Sequence, residues 1–278
     1  MIPGTPMPQP GIYLGVPDSE YYAVAAISKS RIDMLRRSPA HLWASFTAPR
    51  EETDAMRAGK LLHCLVLEPD LYERRYIVVD ANRSTKAGKA AVAEAGASGL
   101  IPLKPSEYDE ARAMTDAIRK HPVASALLSA PGESELTAYW EEEIDGLCIP
   151  CKMRLDRLVH DLPGFGPVLL DVKTARDASP RAMAKHIAEY GYHRQAPWYR
   201  RGLRMAGGLD SRQFTLVCVE SSPPYLVGVY NISEAAQGQG LRELTEALHL
   251  LAACIQSGEW PGYPVEVVEL DLPVWAYR

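Results

Sequence analysis

The middle of the chain alternates apolar and polar residues with a period of two, which is typical of strands that bury one face. The pattern predicts five strands, over residues 136–144, 147–159, 168–173, 214–220 and 225–231. Asp145-Gly146, between the first two strands, is a strong signal for a two-residue hairpin turn. We therefore expect a long antiparallel hairpin, followed by three further strands.

Helical spacing of apolar residues occurs on both sides of this region. It predicts helices over residues 28–46, 54–67, 106–121, 178–205 and 233–256, with a short alanine-rich helix within residues 80–100. Ser28 suits the N-cap of the first helix, and Gly191 and Pro197 predict a break or kink in the long fourth one. The order of elements predicts an α/β fold, in which a central mixed β-sheet is flanked by helices.

The two ends of the chain differ from this pattern. Residues 1–17 contain prolines at positions 3, 6, 8, 10 and 17 and almost no periodic apolar residues, so they predict a flexible arm. The tail from Trp260 is irregular and punctuated by proline. Residues 18–278 contain no internal repeat and no convincing linker, and we expect them to form a single domain.

Charged residues at the ends of two predicted strands are the most informative feature for function. Asp171-Val172-Lys173 ends one apolar run, and Asp156 lies in Arg154-Leu155-Asp156-Arg157-Leu158, the end of another. The turn Pro163-Gly164-Phe165-Gly166 between the strands would bring the two carboxylates together. Lys173 shares a strand face with Asp171 because the two are two residues apart. This arrangement is typical of a metal-dependent site that cleaves phosphodiesters, although Asp-x-Lys on a strand also suits a surface ion pair.

Composition narrows the choice of function class only modestly. The net charge of −5 counts against nucleic-acid binding, but bound cations neutralise metal-site carboxylates and only a local groove must be positive. Two basic clusters are present, Arg31, Arg36 and Arg37 in the first helix and Arg194, Arg200, Arg201 and Arg204 in the fourth; solvated helix faces are the alternative. No apolar run is long enough to cross a bilayer and no signal pattern begins the chain, which favours a cytoplasmic location without membrane contact.

The five cysteines indicate reduced core thiols rather than disulfides or a metal cluster. Their number is odd, and four of them lie in apolar, element-like contexts. Cys148-Ile149-Pro150-Cys151 has the spacing of a metal-binding pair, but no second pair and no nearby histidine pair completes a set of four ligands.

Short motifs follow one another in a fixed order between about residues 20 and 230. They are Ser28-Lys29-Ser30-Arg31-Ile32 with Ser38-Pro39-Ala40-His41, Gly59-Lys60-Leu61-Leu62-His63, Lys152 to Leu158, Asp171 to Ala178, and Gly191 to Tyr199. The ordered set resembles the PD-(D/E)xK nucleases, in particular the RecB-like branch and most closely the RecE-type exonuclease domain (exodeoxyribonuclease VIII) of phage and prophage recombination systems. The resemblance implies a restriction-endonuclease-like core.

The resemblance also implies a metal site. Asp156, Asp171, the backbone carbonyl of Val172 and His63 would hold Mg²⁺ or Mn²⁺, and Lys173 would orient the attacking water. An imidazole ligand fits Mn²⁺ better than Mg²⁺. Without the resemblance, a lone histidine on an apolar helix face would be interpreted as a hydrogen-bonded core residue. An additional glutamate found in some family members has no clear counterpart here; Glu141, Glu142 and Glu143 are candidates, and a charged strand edge explains them equally well.

Further residues are assigned roles by the same resemblance. Gln195 and Tyr199, four residues apart on one helix face with Pro197 between them, would lie beside the active site. Ser28 and Ser30 would form an anion site at a helix start, near which related phage exonucleases hold the 5′-phosphate. Arg31 and Arg194 complete the candidate DNA contacts.

The function that the resemblance implies is a metal-dependent deoxyribonuclease, a processive 5′→3′ exonuclease on double-stranded DNA that leaves a 3′ single strand for recombination. A phage or prophage origin, a single-strand annealing protein as partner and a ring of three or four subunits are implied too, and the aromatic tail residues Trp260, Tyr263, Trp275 and Tyr277 suit interface anchors. The alternatives are a structure-specific or single-strand nuclease of the same fold, a catalytically inactive DNA-binding or scaffold protein, and an unrelated hydrolase of small phosphoesters.

Overall fold

The structure is a computed structural model that describes residues 3–48, 52–162, 166–211 and 213–277. Its strands are β1 (Gly11–Tyr13), β2 (Tyr76–Val78), β3 (Ile101–Leu103), β4 (Gly132–Ile144), β5 (Leu147–Leu162), β6 (Gly166–Ala175), β7 (Gln213–Glu220) and β8 (Val227–Asn231). Six of these strands form one sheet in the order β1-β4-β5-β6-β7-β8, while β2 and β3 pair separately and parallel to each other. In the larger sheet β6 and β7 are parallel and the other neighbours antiparallel, so the sheet is mixed.

Helices cover both faces of this sheet. They are α1 (Asp18–Ala23), α2 (Lys29–Arg37), α3 (Pro39–Thr47), α4 (Asp54–Leu67), α5 (Tyr72–Arg75), α6 (Lys86–Ala97), α7 (Pro105–Lys120), α8 (Pro122–Ser129), α9 (Pro180–Glu189), α10 (Tyr192–Gly207) and α11 (Glu234–Ser257). The predicted α/β class, a central mixed sheet flanked by helices, is confirmed.

Alternate residues of the central strands enter two separate cores. On β6, Leu169 packs in the core that includes Trp198 of α10 and Leu248 of α11. Its neighbours Val168 and Leu170 pack in the other core, which includes residues of α4, α7 and α8. Because successive side chains of a strand point to opposite faces, this doubly covered sheet explains why the run 167–170 is continuously apolar.

The β4–β5 hairpin has the turn that the sequence predicts. Asp145 and Gly146 both adopt positive φ, 51° and 76°, as a two-residue turn requires. Pairing continues from Ile144↔Leu147 to Gly132↔Val159. The strands β5 and β6 are also antiparallel, but three of the four residues of the turn predicted over 163–166, residues 163–165, lie outside the described part of the chain.

Two predicted helices are each divided into two. The helix expected over residues 28–46 ends at Ser38, whose backbone is extended (φ −172°) and whose Oγ accepts a hydrogen bond from the His41 amide at 3.3 Å, with Pro39 at the first position of α3. The helix expected over residues 178–205 breaks at Gly191, where φ is 68°. Pro197 lies inside α10 and does not interrupt it.

Pro197 has a consequence for helix packing. It has no N–H to donate to the carbonyl of His193 one turn earlier. Gly240 of α11 approaches this carbonyl so closely that a Cβ at position 240 would lie 1.9 Å from the oxygen. A glycine is therefore required where α10 and α11 cross.

Parts of both ends of the chain pack against the folded domain. Within the arm predicted over residues 1–17, Gly11–Tyr13 pairs with β4 and Ile12 packs against the main core. In the tail, Trp260 stacks on Trp43 with ring centroids 4.9 Å apart, and Tyr263 lies beside His41. Within the described residues, none of the helices is long and apolar enough to span a membrane.

Candidate active site

Residues from three strands and two helices converge where β5 and β6 separate. Paired positions end at Arg157↔Leu170, so the next residues of the two strands, Asp156 and Asp171, lie side by side at the opening. The amide of Val172 donates to Asp156 Oδ2 at 2.7 Å, so a side chain replaces the usual backbone partner at this point. The structure thus places at one opening the two acids that the sequence predicts to meet.

Asp171 is the most buried acid of the group, with 1% of its surface exposed. Its Oδ1 accepts a hydrogen bond from Gln195 Nε2 of α10 at 2.6 Å. Its Oδ2 forms an ion pair with Lys173 but accepts no hydrogen bond of regular geometry. Burial raises the pKa of Asp171, the Lys173 ammonium opposes that effect, and the carboxylate of Asp156 adds to it. A second positive charge at this carboxylate would therefore be strongly favoured.

Lys173 keeps its charge although its side chain is partly buried. Burial would lower its pKa, but Asp171 and then Asp156 raise it above the usual value. The ammonium also lies over the ring of Tyr192, 5.3 Å from the centroid. Lys173 is thus a fixed cation at the mouth of the site.

His63 approaches the same opening from α4. Its Nε2 lies 2.9 Å from the carbonyl oxygen of Val172 and 3.5 Å from Asp156 Oδ2. Burial lowers the pKa of His63, but Asp156 and Glu135 outweigh it and the pKa is raised. In the absence of a metal, the imidazole donates a hydrogen bond to the carbonyl oxygen of Val172 and lies next to Asp156. A bound cation would contact the same oxygens.

Glu135 completes the group, and sequence reasoning did not identify it. Its Oε1 lies 3.8 Å from His63 Nδ1, and its backbone has a φ of 52°, which is uncommon for a non-glycine residue within a strand. Burial and the neighbouring Asp156 raise the pKa of Glu135 to about 7. The sequence-based candidate Glu142 is engaged elsewhere, by Arg201 and by the indole of Trp140.

These donors suit a divalent cation. Ligand atoms of His63, Glu135 and Asp156 all lie within 4.8 Å of one another. Carboxylate and carbonyl oxygens are the ligands that Mg²⁺ and Mn²⁺ prefer, and an imidazole is compatible with Mn²⁺. The buried Asp171 Oδ2, which accepts no regular hydrogen bond, is the kind of atom that a metal ion satisfies.

Tyr199, the second residue of the predicted helical pair, faces the core. Its ring packs edge-to-face on Phe214 at 5.9 Å, and burial raises its pKa well above the ordinary value of 10.0. Gln195 touches the acidic cluster directly, whereas no direct hydrogen bond joins Tyr199 to Asp156 or Asp171 among the described residues.

The residues predicted to contact DNA lie on α2 and α10 with different surroundings. The hydroxyls of Ser28 and Ser30 are 3.0 Å apart at the start of α2. Arg31 donates to the carbonyl of Ala26 at 2.8 Å and lies over the ring of Phe46. Arg194, with only 9% of its surface exposed, is held by carboxylates of two other helices.

The partners of Arg194 are Asp33 of α2, at 3.0 Å, and Glu243 of α11, at 2.7 Å. Every charge of this group is compensated within the protein, so the guanidinium links three helices. A contact between Arg194 and DNA phosphate stays a prediction.

Comparison with known proteins identifies a family and a shared fold. Residues 28–270 match the family described as PDDEXK-like domain of unknown function (DUF3799). No curated protein matches the chain. A candidate exonuclease from Eubacterium rectale has a similar solved structure, with a TM-score of 0.59 at 11% sequence identity, covering 95% of this chain and 98% of that one. The structure of SSO0001 aligns with a TM-score of 0.34 at 17% identity, over 70% of this chain and 86% of that one.

Proposed function

Because this chain belongs to the family of PDDEXK-like domains, we propose that it is a metal-dependent DNA exonuclease. The observation that carries the proposal is the convergence of Asp156, Asp171 and Lys173 at the opening between β5 and β6. Intact acids and an intact lysine argue against a catalytically inactive DNA-binding protein. The fold shared with the candidate exonuclease of Eubacterium rectale is consistent with this function.

The residues of the site have two roles, metal binding and orientation of the attacking water. Asp156, Asp171, the carbonyl of Val172 and the imidazole of His63 would hold the metal, with Glu135 as a further ligand. When bound, a divalent cation supplies a Lewis acid for the phosphate and an acidified water for attack. The Lys173 ammonium orients that water and offsets the charge that develops on the phosphate oxygens.

Gln195 acts on this site through Asp171. Its amide occupies Oδ1 at 2.6 Å and leaves Oδ2 directed toward Lys173. Partners of this kind fix the orientation of a metal ligand and influence affinity and activity. Gln195 is therefore a positioning residue, and we assign Tyr199 the support of α10 against β7 through its contact with Phe214.

The finer features of the reaction follow from resemblance to the RecE-type exonucleases. We propose double-stranded DNA as substrate, 5′→3′ polarity, and a 3′ single strand as the product used in recombination. Ser28 and Ser30, at the capped start of α2, and Arg31 are the proposed contacts to DNA phosphate. A bacterial cytoplasm, a phage or prophage origin and a single-strand annealing partner belong to the same proposal.

A ring of three or four subunits would keep such an enzyme on its DNA, because the net charge of −5 provides limited electrostatic attraction. Trp260 and Tyr263 pack on α3 of their own chain. The residues that follow present strongly exposed aliphatic side chains, among them Val265, Val267 and Leu270. We propose that this part of the tail, and not the two aromatic anchors, contacts a neighbouring subunit.

Digestion of duplex DNA labelled at either the 5′ or the 3′ end tests the proposal. We expect mononucleotides from the 5′-labelled strand in Mg²⁺ or Mn²⁺ and no release in EDTA. Release first from the 3′ label would reverse the polarity, and cleavage confined to single-stranded DNA would favour the single-strand nuclease. Full activity in EDTA would refute the metal-dependent reaction.

A further inference from the structure

A series of aromatic rings leads from the protein surface to Lys173. His186 and Tyr190 lie four residues apart at the end of α9, with ring centroids 5.3 Å apart. Tyr190 is 5.9 Å from Tyr192, on the other side of the turn at Gly191. The ring of Tyr192 in turn lies 5.3 Å below the Lys173 ammonium. We call His186, Tyr190 and Tyr192 the aromatic track.

The outer part of the track is not a core feature. Tyr190 has 50% of its surface exposed, and it caps α9 through its backbone while its ring projects from the helix end. A half-exposed aromatic ring leaves apolar surface available for contact with a ligand. Tyr192 is partly buried against the main core and provides the inner, fixed end.

Positive charge lies at the inner end of the track and on α9, the helix that carries its outer end. Lys29 donates to the backbone carbonyl of Tyr190 at 2.5 Å and lies 5.9 Å above the ring of Tyr192. Arg181 and Lys185 of α9 are exposed, and within the described ranges no carboxylate forms an ion pair with either. Acids are present as well, since Asp33 pairs with Lys29 at 2.7 Å and Glu189 is exposed next to Tyr190. Arg181 and Lys185 still leave α9 with more basic than acidic exposed side chains, and rings combined with positive charge are typical of surfaces that bind single-stranded nucleic acid.

We propose that the aromatic track is a binding subsite for unpaired nucleobases, which stack on Tyr190 and lead the strand toward Lys173. The proposal rests on the nuclease function stated above and specifies how its substrate reaches the site. Bases of a closed duplex are stacked on one another and present no free face to Tyr190. The subsite therefore favours a frayed or single-stranded end over a blunt paired one.

Binding to DNA with and without bases tests the track directly. The full chain carrying Lys173→Ala is used with Mg²⁺, so that the DNA is not cut. Its affinity is measured by fluorescence anisotropy for a duplex with a short single-stranded extension and for the same duplex with abasic sites in the extension. We expect the extension with bases to bind about five- to a hundredfold more tightly, the range for stacking on one ring.

Substitutions at Tyr190 supply the matched controls. Tyr190→Ala should abolish the preference for bases and leave binding of the abasic DNA unchanged. Tyr190→Phe should preserve the preference for bases because the ring remains. Tyr190→Leu, which keeps apolar bulk without a π face, should behave as alanine does. Thermal unfolding of each variant is measured alongside, and equal melting temperatures are expected because the ring is half exposed.

The track proposal would be overturned if the two DNAs bound with equal affinity or if neither bound. It would also be overturned if Tyr190→Ala lowered the affinity for both DNAs equally. The nuclease proposal has its own readout, digestion of end-labelled duplex by the protein with Lys173 intact. If the protein prefers DNA with bases but releases no nucleotide, the track is supported and the proposed reaction is refuted. If it digests DNA but shows no preference for bases, the reaction is supported and the track is refuted.

Discussion

Glu135 and Asp156 face each other across the β4–β5 hairpin, between the pairs Ser134↔Arg157 and Leu136↔Leu155. The two acids and His63 form the only group of three potential metal-binding side chains found among the described residues. A strand position with φ of 52° holds Glu135 there. The register of one hairpin therefore brings a second acid to the site from a strand without any recognisable motif.

The pH dependence of metal binding should follow Glu135. Its pKa is about 7 in the folded chain and 4.5 ordinarily, and a ligand must lose its proton before it can bind metal. Mn²⁺ affinity, measured by isothermal titration calorimetry, should therefore rise as pH increases through about 7. The Glu135→Gln variant should bind more weakly and lose most of this pH dependence.

The stability of the metal-free protein should change in the opposite direction. Between pH 4.5 and 7 the folded chain keeps a proton on Glu135 that the unfolded chain has released. The contribution of this group to the free energy of unfolding is thus fully present below pH 4.5 and lost as pH rises through 7. Urea unfolding in EDTA should show this decrease for the wild type but not for Glu135→Gln; an identical pH profile for both would contradict the assignment.

His63 should matter at least as much with Mn²⁺ as with Mg²⁺. Removal of a nitrogen ligand in His63→Ala is expected to reduce Mn²⁺-supported cleavage at least as much as Mg²⁺-supported cleavage. Specific activities with each metal provide the measurement. Normal specific activity combined with a lower melting temperature would show that His63 is a core residue.

Gln195 should influence turnover more than DNA binding. Gln195→Ala removes the donor to Asp171 Oδ1 and should lower kcat about 10–100-fold, a typical cost of losing a partner of a metal ligand. KM should change little because the amide contacts the acid and not the DNA. Restoration of activity by excess Mn²⁺ would support a positioning role, whereas a change confined to KM would argue for direct contact with substrate.

Two glycines of α11 should respond differently to alanine. Gly240→Ala places a methyl group against the carbonyl of His193 and should lower the free energy of unfolding by about 1–3 kcal/mol, as overpacking does. A methyl group at Gly238 would have no neighbouring atom within 4 Å, so Gly238→Ala should raise stability by about 0.5–1 kcal/mol through helix propensity. Chemical denaturation of the two variants checks both signs.

The sequence predicted the strand elements better than the helix ends. Period-two runs and Asp145-Gly146 identified the central strands because these patterns reflect burial of one or both sheet faces. The division of residues 28–46 at Ser38 depends on a cap that competes with an otherwise continuous helical pattern. Short elements such as α1 and β1 have too few residues for a periodic signal and depend on tertiary contacts.

The candidate site shows the same contrast. Asp156, Asp171 and Lys173 stand out because charged residues are unusual within a buried strand; the strands continue beyond them, to Leu162 and Ala175, and do not end there as the apolar runs predicted. Glu135 has no such local signal, but a hairpin turning at residues 145 and 146 pairs position 135 with position 156. Register counted from that turn would have selected Glu135 rather than Glu141, Glu142 or Glu143. The ion pairs of Arg194 were beyond prediction because Asp33 and Glu243 are distant in sequence.

The central claim is that Asp171 and Lys173 serve the metal and the attacking water. Digestion of end-labelled duplex DNA by Asp171→Ala and Lys173→Ala, with binding measured in parallel, tests it most directly. Both variants should lose cleavage while their affinity for DNA stays close to that of the wild type. Cleavage within tenfold of the wild type by either variant would contradict the assignment of the active site.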